Sequence, residues 1–339
     1  MERRITQLDG LRAFAFLAVF LRHAIKFPLG WVGVDVFFVL SGYLITRNLL
    51  GLRATTPPGR SFGVFYFRRL LRIVPPYYLA LLAMLAVHHL SAADAAWYFG
   101  FLSNIRDSFV GQITGVYAPM WSIAVEEQFY LVWPLVVFFV PLRRLPVVFL
   151  AVVLLAPIVR YAMTPYGFDA VYTLMPCRMD LLAAGALFAL VDERSPAAFH
   201  RHRAKLVGIG VAAIGVFATI SLSDHTFRTN LGLPLFNVVG FGLTAVLSAV
   251  TFAYVRGLQP GFWMSVLTSR PLQYVGKISY MCYLIHMVAL ELVGRLALGV
   301  VGTAILGFFA TIALASVSWY LVEQPLQRLR GVVRPRPAL

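Results

Sequence analysis

Charge is what this chain of 339 residues has least of: 13% of its residues are Asp, Glu, Lys or Arg, against about 25% in a typical soluble domain. That scarcity excludes an ordinary water-soluble enzyme. Acidic residues are the rarer kind, 14 against 29 Lys and Arg, which leaves a net charge of +15. Two cysteines, Cys177 and Cys282, make no disulfide framework and say little about redox compartment. There is no long polar block, so no separate soluble domain is expected. No internal repeat of the kind that transporters often carry is found. The N-terminus does not read as a cleavable signal, because its apolar stretch runs into Arg22-His23-Ala24 and then into another apolar segment.

What the chain does have is apolar sequence from end to end: 60% hydrophobic residues and a mean hydropathy of +0.79. The expectation is an all-α polytopic membrane protein, a bundle of about ten transmembrane helices. The expected spans are 11–29, 31–50, 74–90, 121–141, 146–163, 178–191, 204–222, 232–255, 275–298 and 301–322. A strong positive charge can mean nucleic acid, but its placement argues for a membrane and against nucleic acid. Most Lys and Arg fall in six segments: Arg3 and Arg4, Arg47 to Arg72, Arg143 and Arg144, Arg194 to Lys205, Arg256 to Lys277, and Arg328 to Arg336. These alternate with connections poor in basic residues, which is the positive-inside pattern and puts both termini in the cytoplasm. Such segments suit anionic lipid headgroups or a polyanionic cytosolic ligand. Of the two longest connections, 51–73 is expected inside and 91–120 outside. The second holds Trp97-Tyr98-Phe99-Gly100-Phe101-Leu102, which reads as a short helix at the outer interface.

The stretch that organises the rest is 8–42. Leu8-Asp9-Gly10-Leu11-Arg12 is followed by an unbroken apolar run, Ala13 to Leu21, and then Arg22-His23. Eleven residues on a helix bring Arg12 and His23 within roughly 20° of one face and about 16 Å apart. Arg12 at a membrane surface would put His23 near the midplane, where an ionisable side chain is a functional candidate. The plain alternative is a helix-end histidine bonded to a neighbouring carbonyl. On the next span Asp35 is a candidate to pair with or orient a basic group of the first span, or else a helix-end carboxylate facing water. Gly30, Gly33 and Gly42 would allow close helix approach.

Further along, Arg68, Arg69 and Arg72 precede Pro75-Pro76, which can open the next helix. Arg69 and Arg72 share a face if helical, and guanidinium forks bind phosphate well, from a nucleotide-like molecule or from lipid. Ser122, Glu126 and Tyr130 share one face of the fourth span. Glu126 and Glu127 differ by about 100°, so only one of them is expected to line any given cavity. Either a structural role between helices or substrate contact would fit. Arg178 and Asp180 read as partners in ion pairs between helices. On the ninth span Ser279, Tyr283 and His286 share a face, and His286, seen alone, reads as a satisfied interior histidine. No metal site is expected.

Taken together these segments resemble the membrane-bound acyltransferase 3 family. The carrying residues are LDGLR at 8–12 with His23, GVDVFFVLSGYLI at 33–45, RRLLR at 68–72, MWSIAVEEQFYLVWP at 120–134 and ISYMCYLIH at 278–286. The resemblance implies an acyltransferase domain over 1–325 with a basic cytoplasmic tail at 326–339, in a bacterial-type cytoplasmic membrane. It implies transfer of an acyl group, commonly acetyl, from acyl-coenzyme A as co-substrate to a hydroxyl, usually on an extracytoplasmic carbohydrate. Some members act on small molecules such as macrolides. It makes His23 the catalytic histidine, Arg12 its partner, and Arg69 and Arg72 the donor-associated pair. A neutral His23 could act as general base or carry the acyl group. Glu126, Glu127, Ser122, Tyr130, Tyr283 and His286, on the fourth and ninth spans, are the candidates to contact the acceptor or steady an oxyanion. The rival from another class is a transporter or lipid flippase, which would also want intramembrane ionisable residues but favours inverted repeats.

The alternation of basic segments predicts that 194–205 is cytoplasmic. Single cysteines introduced there should react with impermeant maleimide only after the membrane is opened; labelling in intact cells would reverse the topology.

Overall fold

The computed structural model describes residues 5–111, 115–223 and 235–329. Among the described residues there is no strand. In chain order the helices are α1 (Thr6–Ile25), α2 (Val32–Thr55), α3 (Pro58–Val87), α4 (Ala92–Phe99), α5 (Ser103–Val110), α6 (Met120–Phe139), α7 (Leu145–Met163) and α8 (Phe168–Thr173). They continue with α9 (Met175–Arg194), α10 (Ala198–Arg201), α11 (Arg203–Ser223), α12 (Phe241–Arg256), α13 (Phe262–Leu267), α14 (Arg270–Gly294), α15 (Gly299–Ser318) and α16 (Gln324–Arg328). Wide π turns, Phe236–Gly240 and Trp319–Glu323, lead into α12 and α16. Most of the expected tail, residues 330–339, lies outside the described residues, as do Arg3 and Arg4.

The protein is all-α and polytopic. Nine helical stretches among the described residues are long and apolar enough to cross a bilayer. The first expected span, α1, is not one of the nine, because Asp9, Arg12 and Arg22 fall within its 20 residues. Its length nevertheless corresponds to about 30 Å, the thickness of a hydrocarbon core. This charged helix is also a central one, packed against α2, α14 and α15. Protein contact, rather than lipid, accommodates its charges.

Two expected boundaries are corrected. The third helix does not open at Pro75-Pro76. It starts at Pro58 and runs through both prolines to Val87, so most of the expected inside connection is helical and Arg69 and Arg72 do share a face. Each proline removes a donor to the carbonyl four residues back, Leu71 and Arg72. Neighbouring helices make such breaks tolerable inside a membrane bundle; here the Tyr280 hydroxyl of α14 donates to the adjacent Ile73 carbonyl at 3.4 Å. The second correction concerns α1. It stops at Ile25, with Lys26 in the left-handed conformation as its cap, so His23 lies in the last turn and not at mid-span. The expected outer-interface helix is present as α4 and is joined by α5. Tyr77 and Tyr78 of α3 donate to the Tyr98 and Phe99 carbonyls at 2.7 and 2.8 Å and tie α4 down.

Buried ion pairs and close backbone approaches lock the bundle. Arg178 of α9 bonds to Asp35 of α2, and Arg160 of α7 donates to Asp180 of α9 at 2.7 Å. Glycine makes the α2–α9 contact tight: a Cβ at Gly42 would lie 1.9 Å from the Leu182 carbonyl oxygen. α1 and α14 run parallel, joined near both ends. Near their starts a Cβ at Gly276 would lie 1.9 Å from the Asp9 carbonyl oxygen. Towards the other end His23 and His286 have ring centroids 5.2 Å apart. Parallel packing is what first and ninth crossings require, since both are odd-numbered.

Gly276→Ala should therefore push α1 off α14 and cost about 1–3 kcal/mol, seen as a lower melting temperature in detergent. Gly63→Ala is the comparison, because a Cβ there meets nothing within 4 Å, and it should leave the melting temperature unchanged or raise it.

Candidate functional site

The helix α14 organises the site. Lys277, Tyr280, Tyr283 and His286 follow one another every third residue, a row that winds about half a turn around the helix while rising about 13 Å. Three adjoining cavities lie beside this helix. The first, at the basic end of the bundle, has a volume of about 370 Å³ and is lined by Asp9, Arg12, Arg72, Lys277, Trp319 and Glu323. It shares Arg12, Arg72 and Tyr280 with a narrow middle cavity of about 70 Å³. The middle cavity adds Ser41, Arg69, Ser122, Glu126 and Tyr130, and it shares Val34 and Tyr283 with the third. The third cavity, about 200 Å³, holds Arg22 and His23 among Trp31, Trp121, Phe168 and Tyr172. Arg12 and His23, about 16 Å apart on α1, thus mark the first and last members of one series.

The middle cavity is the polar waist. Ser41 and Tyr130 each donate to Glu126, at 2.7 and 2.8 Å, and the Arg69 guanidinium stacks 5.4 Å from the Tyr130 ring centroid. Among the described residues, none of Arg12, Arg69 and Arg72 has a carboxylate within salt-bridge distance. Three guanidiniums and the carboxylate of Glu126 thus line one partly buried cavity, leaving a net positive charge there. Of the adjacent acids only Glu126 lines the cavity; Glu127 points elsewhere, with Oε1 buried and unbonded. Arg68 lines none of the three cavities.

At the outer junction the Ser122 and Tyr283 hydroxyls lie 2.6 Å apart, and both are within reach of the Pro119 carbonyl, at 3.0 and 3.3 Å. His286 is fully buried. Its Nδ1 lies 2.6 Å from the Tyr283 carbonyl; a carbonyl only accepts, so Nδ1 carries the proton. Nε2 is then an acceptor, and it has no partner. His286 thus bonds a backbone carbonyl as an interior histidine does and lines none of the three cavities, while its ring lies against His23. Asp35 also departs from expectation. It pairs with Arg178 of α9 and lines none of the cavities, so it clamps helices and does not orient a base on α1. Arg178 and Asp180 do form ion pairs between helices, as expected.

Sequence reasoning missed Ser41, Arg22, Trp319 and Glu323. Ser41 lay inside a quoted motif but was overshadowed by Asp35. Trp319 and Glu323 reach the site only because α15 ends in a π turn beside α14, and local sequence does not announce that turn.

The acyltransferase domain family matches residues 5–322. Over 96% of its length the chain is 30% identical to the putative peptidoglycan O-acetyltransferase YrhL of Bacillus subtilis, covering 55% of that protein. It is 28% identical to the peptidoglycan O-acetyltransferase OatA of Listeria monocytogenes and 26% identical to the O-acetyltransferase OatA of Staphylococcus aureus, again over 96% of this chain, covering 56% and 58% of those proteins. The chain thus spans little more than half the length of these curated relatives. No solved structure matches it. A match that runs from the start of α1 into the π turn after α15 takes in nearly all the residues that line the cavities and sets aside the transporter reading: the chain belongs to the acyltransferase 3 family of multi-pass membrane proteins.

Proposed function

We propose that the protein is an O-acetyltransferase of the cytoplasmic membrane, taking acetyl from acetyl-coenzyme A at the cytoplasmic side and passing it to a glycan hydroxyl at the other side. The observation that carries this reading is the cavity series itself: a passage with three guanidiniums near its basic end and a histidine at its far end. An anionic nucleotide with a long thin arm suits that shape. Its phosphates stay with Arg12, Arg69 and Arg72 while the thioester reaches towards His23. The names of the relatives support acetyl and a glycan. The aromatic walls of the outer cavity, Trp31, Trp121 and Tyr172, suit the apolar faces of sugar rings.

In this reading His23 is the general base. An imidazole nitrogen takes the proton of the acceptor hydroxyl, and the oxygen attacks the thioester carbonyl carbon. Tyr283 or Ser122, which share one hydrogen bond between them, can donate to the oxyanion that forms. The C–S bond then breaks, and the leaving thiolate takes the proton from the imidazolium. A covalent acyl-histidine would need a further step; trapping acylated His23 by rapid quench would replace the general-base scheme.

Replacing His23 by Ala should lower turnover about 10²–10⁴-fold while leaving folding and donor binding intact. Near-full turnover in that variant would remove His23 from the chemistry.

Arg69→Ala with Arg72→Ala should weaken acetyl-coenzyme A binding, and Lys at both positions should restore it only in part, because a point charge lacks the guanidinium fork. The measurement is thermal stabilisation by donor, about 2.7 kcal/mol at 100 times Kd for the unaltered protein. An unaltered protein that gains nothing at saturating donor would overturn the donor assignment.

A further inference from the structure

The widest cavity of the series lies where a donor would enter, and its outermost cation is not one of the arginines. Lys277 lines only this mouth, whereas Arg12 and Arg72 also line the waist. The Lys277 ammonium lies 4.3 Å from the centroid of the Trp319 ring. A cation–π contact of that kind holds the ammonium in place without neutralising its charge. Trp319 is buried, and its indole N–H has no hydrogen-bond partner. The poised ammonium shares its cavity with Asp9 and with Glu323, whose Oε1 accepts from Ser318 at 3.3 Å.

We propose that Lys277 and Trp319 form a second phosphate subsite at this mouth, holding the ribose phosphate of the donor's nucleotide head. The inference rests on the donor reading above and extends it to residues outside the arginine pair. Order along the donor gives the argument. The thioester must approach His23, and the pyrophosphate follows it at the waist, among the guanidiniums. The ribose phosphate is the donor's remaining anionic group and lies beyond the pyrophosphate, so it falls at the mouth. A compact ammonium with rotatable donors suits a terminal phosphate monoester, as planar forks suit the waist. The Trp319 ring keeps that ammonium at the mouth. A lipid headgroup phosphate offers the same chemistry to an exposed lysine, and the experiment separates the two.

The test is calorimetric binding of coenzyme A and of 3′-dephospho-coenzyme A to protein in neutral-lipid nanodiscs. The unaltered protein should bind coenzyme A about fivefold more tightly, the worth of one exposed charge contact. Lys277→Gln should abolish that preference and leave affinity for the dephospho compound unchanged. Lys277→Arg should keep the preference in part, and Trp319→Leu, which removes the ring that holds the ammonium, should narrow it. Equal affinities in the unaltered protein, or a preference that survives Lys277→Gln, would overturn the subsite with the donor reading intact. Equal weakening of both ligands by Lys277→Gln would likewise overturn it and assign the lysine to lipid phosphate or packing. No binding of either compound by the unaltered protein would overturn the donor reading, and the subsite with it.

Discussion

The cost of keeping guanidiniums partly buried in an apolar bundle governs this structure. Among the described residues Arg12, Arg69 and Arg72 have no carboxylate within salt-bridge distance, although an unpaired charge in such surroundings is expensive. Elsewhere the same chain pairs its buried arginines: Arg178 with Asp35, and Arg160 with Asp180. The contrast separates framework from function. Paired arginines hold α2, α7 and α9 together, and that frame keeps the unpaired ones where an anion can meet them. Polarity at the waist softens the cost, through the Ser41–Glu126–Tyr130 bonds and the Arg69–Tyr130 stack.

The second constraint is close approach of α1 and α14. Gly276 lets the Asp9 backbone touch α14 at one end, and the His23–His286 contact closes the other. Between these points the two helices carry Arg12, Lys277, Tyr280 and Tyr283, so residues from opposite ends of the sequence share one set of cavities. The passage exists because first and ninth crossings run parallel with matching depth.

Much of this was legible in the sequence because membrane insertion is governed by local composition. Apolar runs and basic segments yielded an all-α polytopic chain and most of its spans. Helical spacing alone put Arg69 beside Arg72, and Ser122 on one face with Glu126 and Tyr130. Contacts between helices were not legible. Asp35 looked like a partner for α1 because it follows α1 in sequence, yet its partner, Arg178, is 143 residues away. His286 looked solitary because nothing local announces His23 beside it. Pro75 and Pro76 looked like a boundary because an isolated helix would break there, whereas the surrounding bundle carries α3 through. His23 looked central because the apolar run continues past it, although α1 is capped three residues later by Lys26.

The narrow waist has an electrical consequence. A protein that opens a route from one face of a membrane towards the other risks discharging the ionic gradients the membrane maintains. Here the middle cavity holds only about 70 Å³, and Arg12, Arg69 and Arg72 outnumber Glu126 in its lining. A net positive charge beside so small a volume raises the barrier to protons and metal cations. On the proposed reading the same guanidiniums would serve both insulation and the hold on an anionic donor.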